Sequence, residues 1–369
     1  AYKLTGNKRY LAAAKHWGDV FAIKCNYSNE KMSPWDRYAD PSVVDWSDEL
    51  TGSVTWIIDF LNDLIAMGYK GQDNAIVKAR DRGVKFVNEQ LFPKWIDNDT
   101  WGRSYWDWDN PMICGSLFVI ADHIMKYPKL YPTWKTDLRN TMSVLINRNS
   151  ADVVSLSDCY SGAWAWPESA VCCGTSLSYN QYTAAPSFIR YGILANDEWA
   201  KEIGRRMIIM ATYDSNAKGV VMDGILGQSV ATGEWSNLAH PWPVCQVMEA
   251  MAWMPELGPN RENHIMRSSS VVTSVVYEAG SVSFSTIDAK SPAIDVLRLS
   301  GRPTTVSMGK SKLVERDDLQ TNGYTVQDLP NGDCLVTIRH DRHQSVSVSL
   351  KDTQTELDVN RIEFKGNWL

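Results

Sequence analysis

The sequence predicts a mainly α-helical protein, with helical hairpins set around a ring, followed by a smaller β-sandwich-like domain. Three observations predict it. Helical patterns recur at a near-constant step over the first 255 residues, apolar helices alternate with amphipathic ones, and near Val271 the hydrophobic period changes from helical to alternating. At 369 residues the chain exceeds one ordinary core. The division expected is a helical catalytic domain over 1–265 and a β domain over 271–369.

The amphipathic helices open near Asn7, Gln72, Thr133 and Asn196, at steps of 65, 61 and 63 residues. In the first, Tyr10, Ala14, Trp17 and Phe21 fall at i, i+4, i+7 and i+11, with charged residues between them, and are expected to face the core. The apolar helices cover roughly Val54–Met67, Met112–Met125, Ser176–Ile193 and Val244–Met254. Their few charges suit helices buried on two sides. Links from apolar to amphipathic helix are short (Gly68–Gly71, Tyr127–Pro132, Leu194–Ala195), whereas the returns are long (about 26–52, 92–111, 147–175 and 213–243). Long loops within a compact domain are usually functional, and these four are expected on one rim. Ten of the 16 tryptophans fall in them, including Trp35, Trp46, Trp95, Trp101 and Trp242. Indole faces stack on the C–H faces of sugars, so this distribution points to a glycan cleft.

Beyond Val271, the runs 282–286, 294–299, 334–338 and 346–350 have strand patterning. Asn322-Gly323 and Asn331-Gly332 are turn pairs. The net charge of −6 offers no basic field to nucleic acid, and no apolar run approaches the ~18 residues of a membrane span. Seven cysteines form no zinc-binding spacing and read mostly as buried thiols, with a disulfide from Cys159 to Cys172 or Cys173 left open. Nothing in the sequence sets the oligomeric state.

Two short motifs carry a resemblance. Leu4-Thr5-Gly6-Asn7-Lys8-Arg9-Tyr10-Leu11 is similar to an outer-helix opening, and Tyr105-Trp106-Asp107-Trp108-Asp109-Asn110-Pro111 to an aromatic-acidic loop. With the hairpin repeat, they make the chain resemble the six-hairpin (α/α toroid) glycosidases and related polysaccharide lyases. The resemblance implies a secreted or periplasmic carbohydrate-active enzyme, an α/α toroid with a C-terminal β-sandwich-like domain, and an oligo- or polysaccharide substrate. Only four hairpins are visible, so a closed ring would need about two more upstream. Zinc-dependent toroid arabinofuranosidases invite comparison at Cys172 and Cys173, but the separations differ. No metal or cofactor is expected.

Glycoside hydrolysis needs one protonated and one ionised carboxyl group. The first candidate loop holds Arg103, Tyr105, Trp106, Asp107, Trp108 and Asp109, where neighbouring indoles would raise a carboxyl pKa; Asp109 equally suits a helix cap beside Pro111. The second holds Trp164, Trp166 and Glu168, followed by Tyr179, Asn180 and Gln181 at the start of an apolar helix. The third holds Asp223, Glu234, Trp235 and His240. As a hydrolase, the chain would use Asp107, Glu168 and Asp223 or Glu234 as acid and base. A lyase would instead use Tyr105, Tyr179 or His240 as base, with Asn180 and Arg103 at the uronate carboxylate. A non-catalytic glycan binder would need only the aromatics. His123 reads as a satisfied core residue, and His340 and His343 as exposed.

Overall fold

A computed structural model of the chain describes residues 1–36, 52–93, 114–144, 146, 177–178, 180–211, 224–226, 230–231, 241–278, 280–287, 291–341 and 345–351. The chain divides into two compact units, the first essentially Gly6–Ala250 and the second essentially Met251–Leu369.

After a single turn, α1 (Tyr2–Thr5), the first unit contains α2 (Lys8–Lys24), α3 (Val54–Ala66), α4 (Ala75–Phe86), α5 (Cys114–Lys126), α6 (Trp134–Val144), α7 (Asn180–Ala195) and α8 (Glu198–Ala211). Helix α9 (Pro241–Trp253) ends it. Gly6 turns the chain in a left-handed conformation, and the Asn7 side chain then accepts from Arg9 N at 3.0 Å to start α2. The pairs α3/α4, α5/α6 and α7/α8 are antiparallel neighbours joined by short links, as the repeat predicts. The α7/α8 pair is the tightest. A Cβ on Gly192 would lie 2.6 Å from Lys201 N, and one on Gly204 would lie 2.8 Å from Ala185 O. Only glycine lets the two backbones approach so closely.

Helix α5 packs against both α3 and α7, and α2 packs against α3 and α4. The expected six-hairpin toroid is therefore corrected. The described residues show neighbouring helix pairs and no ring of six hairpins. The repeat fixes local hairpins, whereas closure depends on how many there are.

The apolar stripe assigned to α2 also changes. Tyr10 and Trp17 are half exposed, and the buried face is Gly18 and Ala22, with Gly18 against Leu64 and Ile76. Small residues face the core because α2 lies close on both α3 and α4. Trp35, counted among the rim aromatics, is a core residue. It is 3% exposed, and its indole N–H donates to Phe21 O at 2.9 Å. Arg82 fixes the same segment by donating to the carbonyls of Asn26, Asn29 and Met32.

The second unit is built from two antiparallel sheets. One has the order β10 (Gly323–Asp328), β11 (Cys334–His340), β7 (Ala293–Leu299), β4 (His264–Ser268). The other runs β5 (Val271–Glu278), β6 (Ser281–Ile287), β12 (Ser345–Leu350), β8 (Pro303–Met308), β9 (Ser311–Lys312). Val282, Phe284, Val306, Val346 and Val348 of one sheet share a core with Leu297, Leu299, Tyr324, Val336 and Ile338 of the other. Alternation is clean in β6 and β11. It fails in β7, which is buried on both faces: Asp295 shares the face of Leu297 and Leu299, and Arg298 lies on the opposite one. His340, expected at the surface, is fully buried because Asp295 supplies its partner. His343 lies outside the described residues. Of the cysteines, Cys25 and Cys334 are buried as expected, but Cys245 is exposed.

Candidate active site

Most of the predicted site residues lie outside the described residues: Arg103, Tyr105, Trp106, Asp107, Trp108, Asp109, Trp164, Trp166, Glu168, Tyr179, Asp223, Glu234, Trp235 and His240. Asn180 and Gln181 open α7, as the sequence predicts. A small sheet joins residues 177–178, expected to belong to the apolar helix opening at Ser176, to the long segment 213–243. Its first strand, β1 (Leu177–Ser178), pairs antiparallel with β2 (Gly224–Leu226), which pairs with β3 (Val230–Ala231). The ladder ends at Ser178↔Gly224, whose chain neighbours are Tyr179 and Asp223.

The described residues hold a different acidic site, on the apolar helices themselves. Each such helix carries polar groups within its span: Asp59 on α3, Asp122 on α5, Ser187 and Arg190 on α7, and Glu249 on α9. Ser187 Oγ donates to Asp122 Oδ1 at 3.3 Å, and Arg190 Nη1 lies 3.7 Å from the same oxygen. Asp122 is surrounded by protein yet keeps 35% of its side-chain surface open to solvent. Beside it, His123 Nδ1 is 2.6 Å from Asp59 Oδ1, and His123 Nε2 is 2.6 Å from the Tyr131 hydroxyl. The Asp59 carboxylate can only accept, so it fixes the proton on Nδ1. Nε2 then accepts from the Tyr131 hydroxyl. His123 is 2% exposed, the satisfied core histidine that the sequence predicts.

Burial pushes the Asp122 carboxyl up to about 7, and the charge of Glu249 adds to the shift. Asp59 adds a smaller rise, while Arg190 and Ser187 oppose it. Glu249 is raised as well, again first by burial, with Arg190 opposing. Two carboxyls that desolvate and repel one another cannot both ionise readily, so the pair retains a proton near neutrality. One group can then donate a proton while the other accepts one, as acid–base chemistry requires.

Sequence reasoning missed this site because each residue looks like a lone charge in an apolar helix. The signal was the repeat itself. From Asp59 to Asp122, to Ser187 and to Glu249, the steps are 63, 65 and 62 residues, matching the helix repeat. Among the described residues, no group of three or more His, Cys, Asp or Glu side chains is arranged to hold a metal ion. None of the described helices is long and apolar enough to cross a membrane. No protein-family model matches the chain, and no curated protein matches it.

Proposed function

We propose that the protein is a carbohydrate-active enzyme, a glycoside hydrolase acting on an oligo- or polysaccharide. The observation that carries this reading is the Asp122 carboxyl, held against Ser187 and Arg190, raised by burial and by the charge of Glu249, and with 35% of its side chain open to solvent. A retained proton on one carboxyl beside a second carboxyl is what protonation of a glycosidic oxygen demands. The sugar assignment is supported by the sequence. Trp46, Trp95, Trp101, Trp106, Trp108, Trp164, Trp166 and Trp235 lie in the long segments that precede the apolar helices.

The test is a screen on neutral and uronate-containing polysaccharides, read for new reducing ends and for the ultraviolet absorbance of an unsaturated uronate. Reducing ends without absorbance, lost in Asp122→Asn, are expected. Both signals together would make the enzyme a lyase, and binding without turnover would make it a glycan-binding protein. Asp107→Asn and Glu168→Gln, assayed beside Asp122→Asn, separate the loop carboxylates from the helical pair. Full activity in Asp122→Asn with loss in Asp107→Asn would move the chemistry to the loop.

A further inference from the structure

His123 and Asp122 are consecutive on α5, and consecutive side chains on a helix diverge by about 100°. Helix α5 packs between α3 and α7. His123 reaches Asp59 on α3, while Asp122 reaches Ser187 and Arg190 on α7. Both ring nitrogens of His123 are engaged at 2.6 Å, by a carboxylate from one element and a hydroxyl from another. Lys126, one turn further along α5, adds a contact to Asp59 Oδ2 at 3.4 Å. Apolar ridges pack with scatter in helix rotation, whereas two directional bonds permit one rotation only.

We infer that His123, held between Asp59 and Tyr131, is a positioning residue that locks the rotation of α5 and thereby aims the Asp122 carboxyl at Ser187 and Arg190. The inference rests on the reading of Asp122 and Glu249 as an acid–base pair. A purely structural core position would be filled as well by an apolar side chain, without the desolvation of a histidine and a carboxylate. The polar chain instead supplies direction. The charged groups acting on Asp122 are Glu249, Arg190 and Asp59; Asp59 in turn meets the charge of Lys126 and the hydrogen bond of the His123 ring.

The experiment follows the carboxyl carbons of aspartate and glutamate by nuclear magnetic resonance from pH 4 to 9, on the full chain. Wild type is compared with Tyr131→Phe, which loses one hydroxyl, and with His123→Phe, which loses both bonds. The elevated titration is expected to fall by about one pH unit in His123→Phe, a tenfold change in proton affinity. Tyr131→Phe should shift it less and in the same direction, with helical circular dichroism retained in both. A lower melting temperature with an unmoved titration would overturn the inference and leave His123 a structural residue. Should His123→Phe fail to fold, Tyr131→Phe decides alone, and an unmoved midpoint there overturns it. A wild-type protein with no carboxyl titrating near pH 7 would overturn the acid–base reading itself, and the inference with it.

Discussion

Both units bury charge, and they do so in opposite ways. In the β unit, Arg298 and Asp333 are almost wholly enclosed, with Nη2 and Oδ2 at 2.9 Å. Arg298 also donates to the carbonyls of Pro255, Glu256 and Gly258 and to Asn260 Oδ1, so it fastens the segment that leads into β4. Asp333 Oδ2 further accepts from Arg261 N and Asn331 Nδ2. These donors outweigh burial and hold the Asp333 carboxyl below the usual range. A second enclosed pair, His340 with Asp295, is likewise matched one to one. In the helical unit, Asp122 and Glu249 both feel the single cation Arg190 among the described residues, and both are raised. Balanced charge fixes a structure, whereas unbalanced charge stores a proton that chemistry can use.

Removing one partner of the balanced pair should have the largest effect. Arg298→Leu leaves Asp333 buried without its cation and is expected to destabilise the β unit by about 3–5 kcal/mol, read by urea unfolding of the intact protein. A loss near zero would mean that water or another donor takes over the carboxylate.

The next effect concerns pH and has the same sign at both sites for different reasons. His340 has acceptors at both ring nitrogens, the Asp341 carbonyl at 2.6 Å and Asp295 Oδ2 at 2.9 Å, so both nitrogens donate. Burial opposes the charged ring, but these two hydrogen bonds win and raise its pKa above the ordinary histidine value. A raised histidine contributes stability below its unfolded value of ~6.5 and loses it as pH rises through the folded value. The melting temperature should therefore decline from pH 6 to 9, and His340→Gln should flatten that decline while lowering stability at pH 6.

Asp122 is a raised carboxyl. Its unfolded form ionises near ~3.9, so the folded state binds the extra proton between there and about 7, and stability falls with pH over that window. Asp122→Asn should remove this slope. The variant should gain melting temperature relative to wild type at pH 8 more than at pH 5, and lose turnover at both. An identical slope in the two proteins would mean that Asp122 ionises normally and that the contrast between the units is wrong.

The smallest effect is expected at the surface. Lys85 and Glu30 approach to 2.7 Å, but both are exposed, and such pairs contribute little after screening. Lys85→Ala should leave the melting temperature within error at 0.15 M salt, which sharpens the comparison by showing that burial, not pairing alone, sets the size of the effect.

Much of the layout was legible in the sequence because it depends on local periodicity. The starts of α2, α4, α6 and α8, the spans of α3 and α5, and strands β6, β7, β11 and β12 all follow from apolar spacing within one element. What depends on neighbours was not legible. Tyr10 and Trp17 fit a helical stripe but yield the core to Gly18 and Ala22, since the close approach of α2 to Leu64 and Ile76 selects small residues. His340 looks like a surface residue until the antiparallel register sets it beside β7, which carries Asp295. Strands β5, β8 and β10 carry mixed polar and exposed faces, so alternation does not announce them. The acidic site was written in the repeat, but recognising it required reading the same position across four helices rather than along one.

The short pairing of β1 with β2 makes one closed circuit of the chain between Ser178 and Gly224, with the whole α7/α8 hairpin inside it. Because Gly192 and Gly204 press the two helices together, neither can slide to absorb a change in length. The pairing of Ser178 with Gly224 thus gives the entry and the exit of this one hairpin a common anchor.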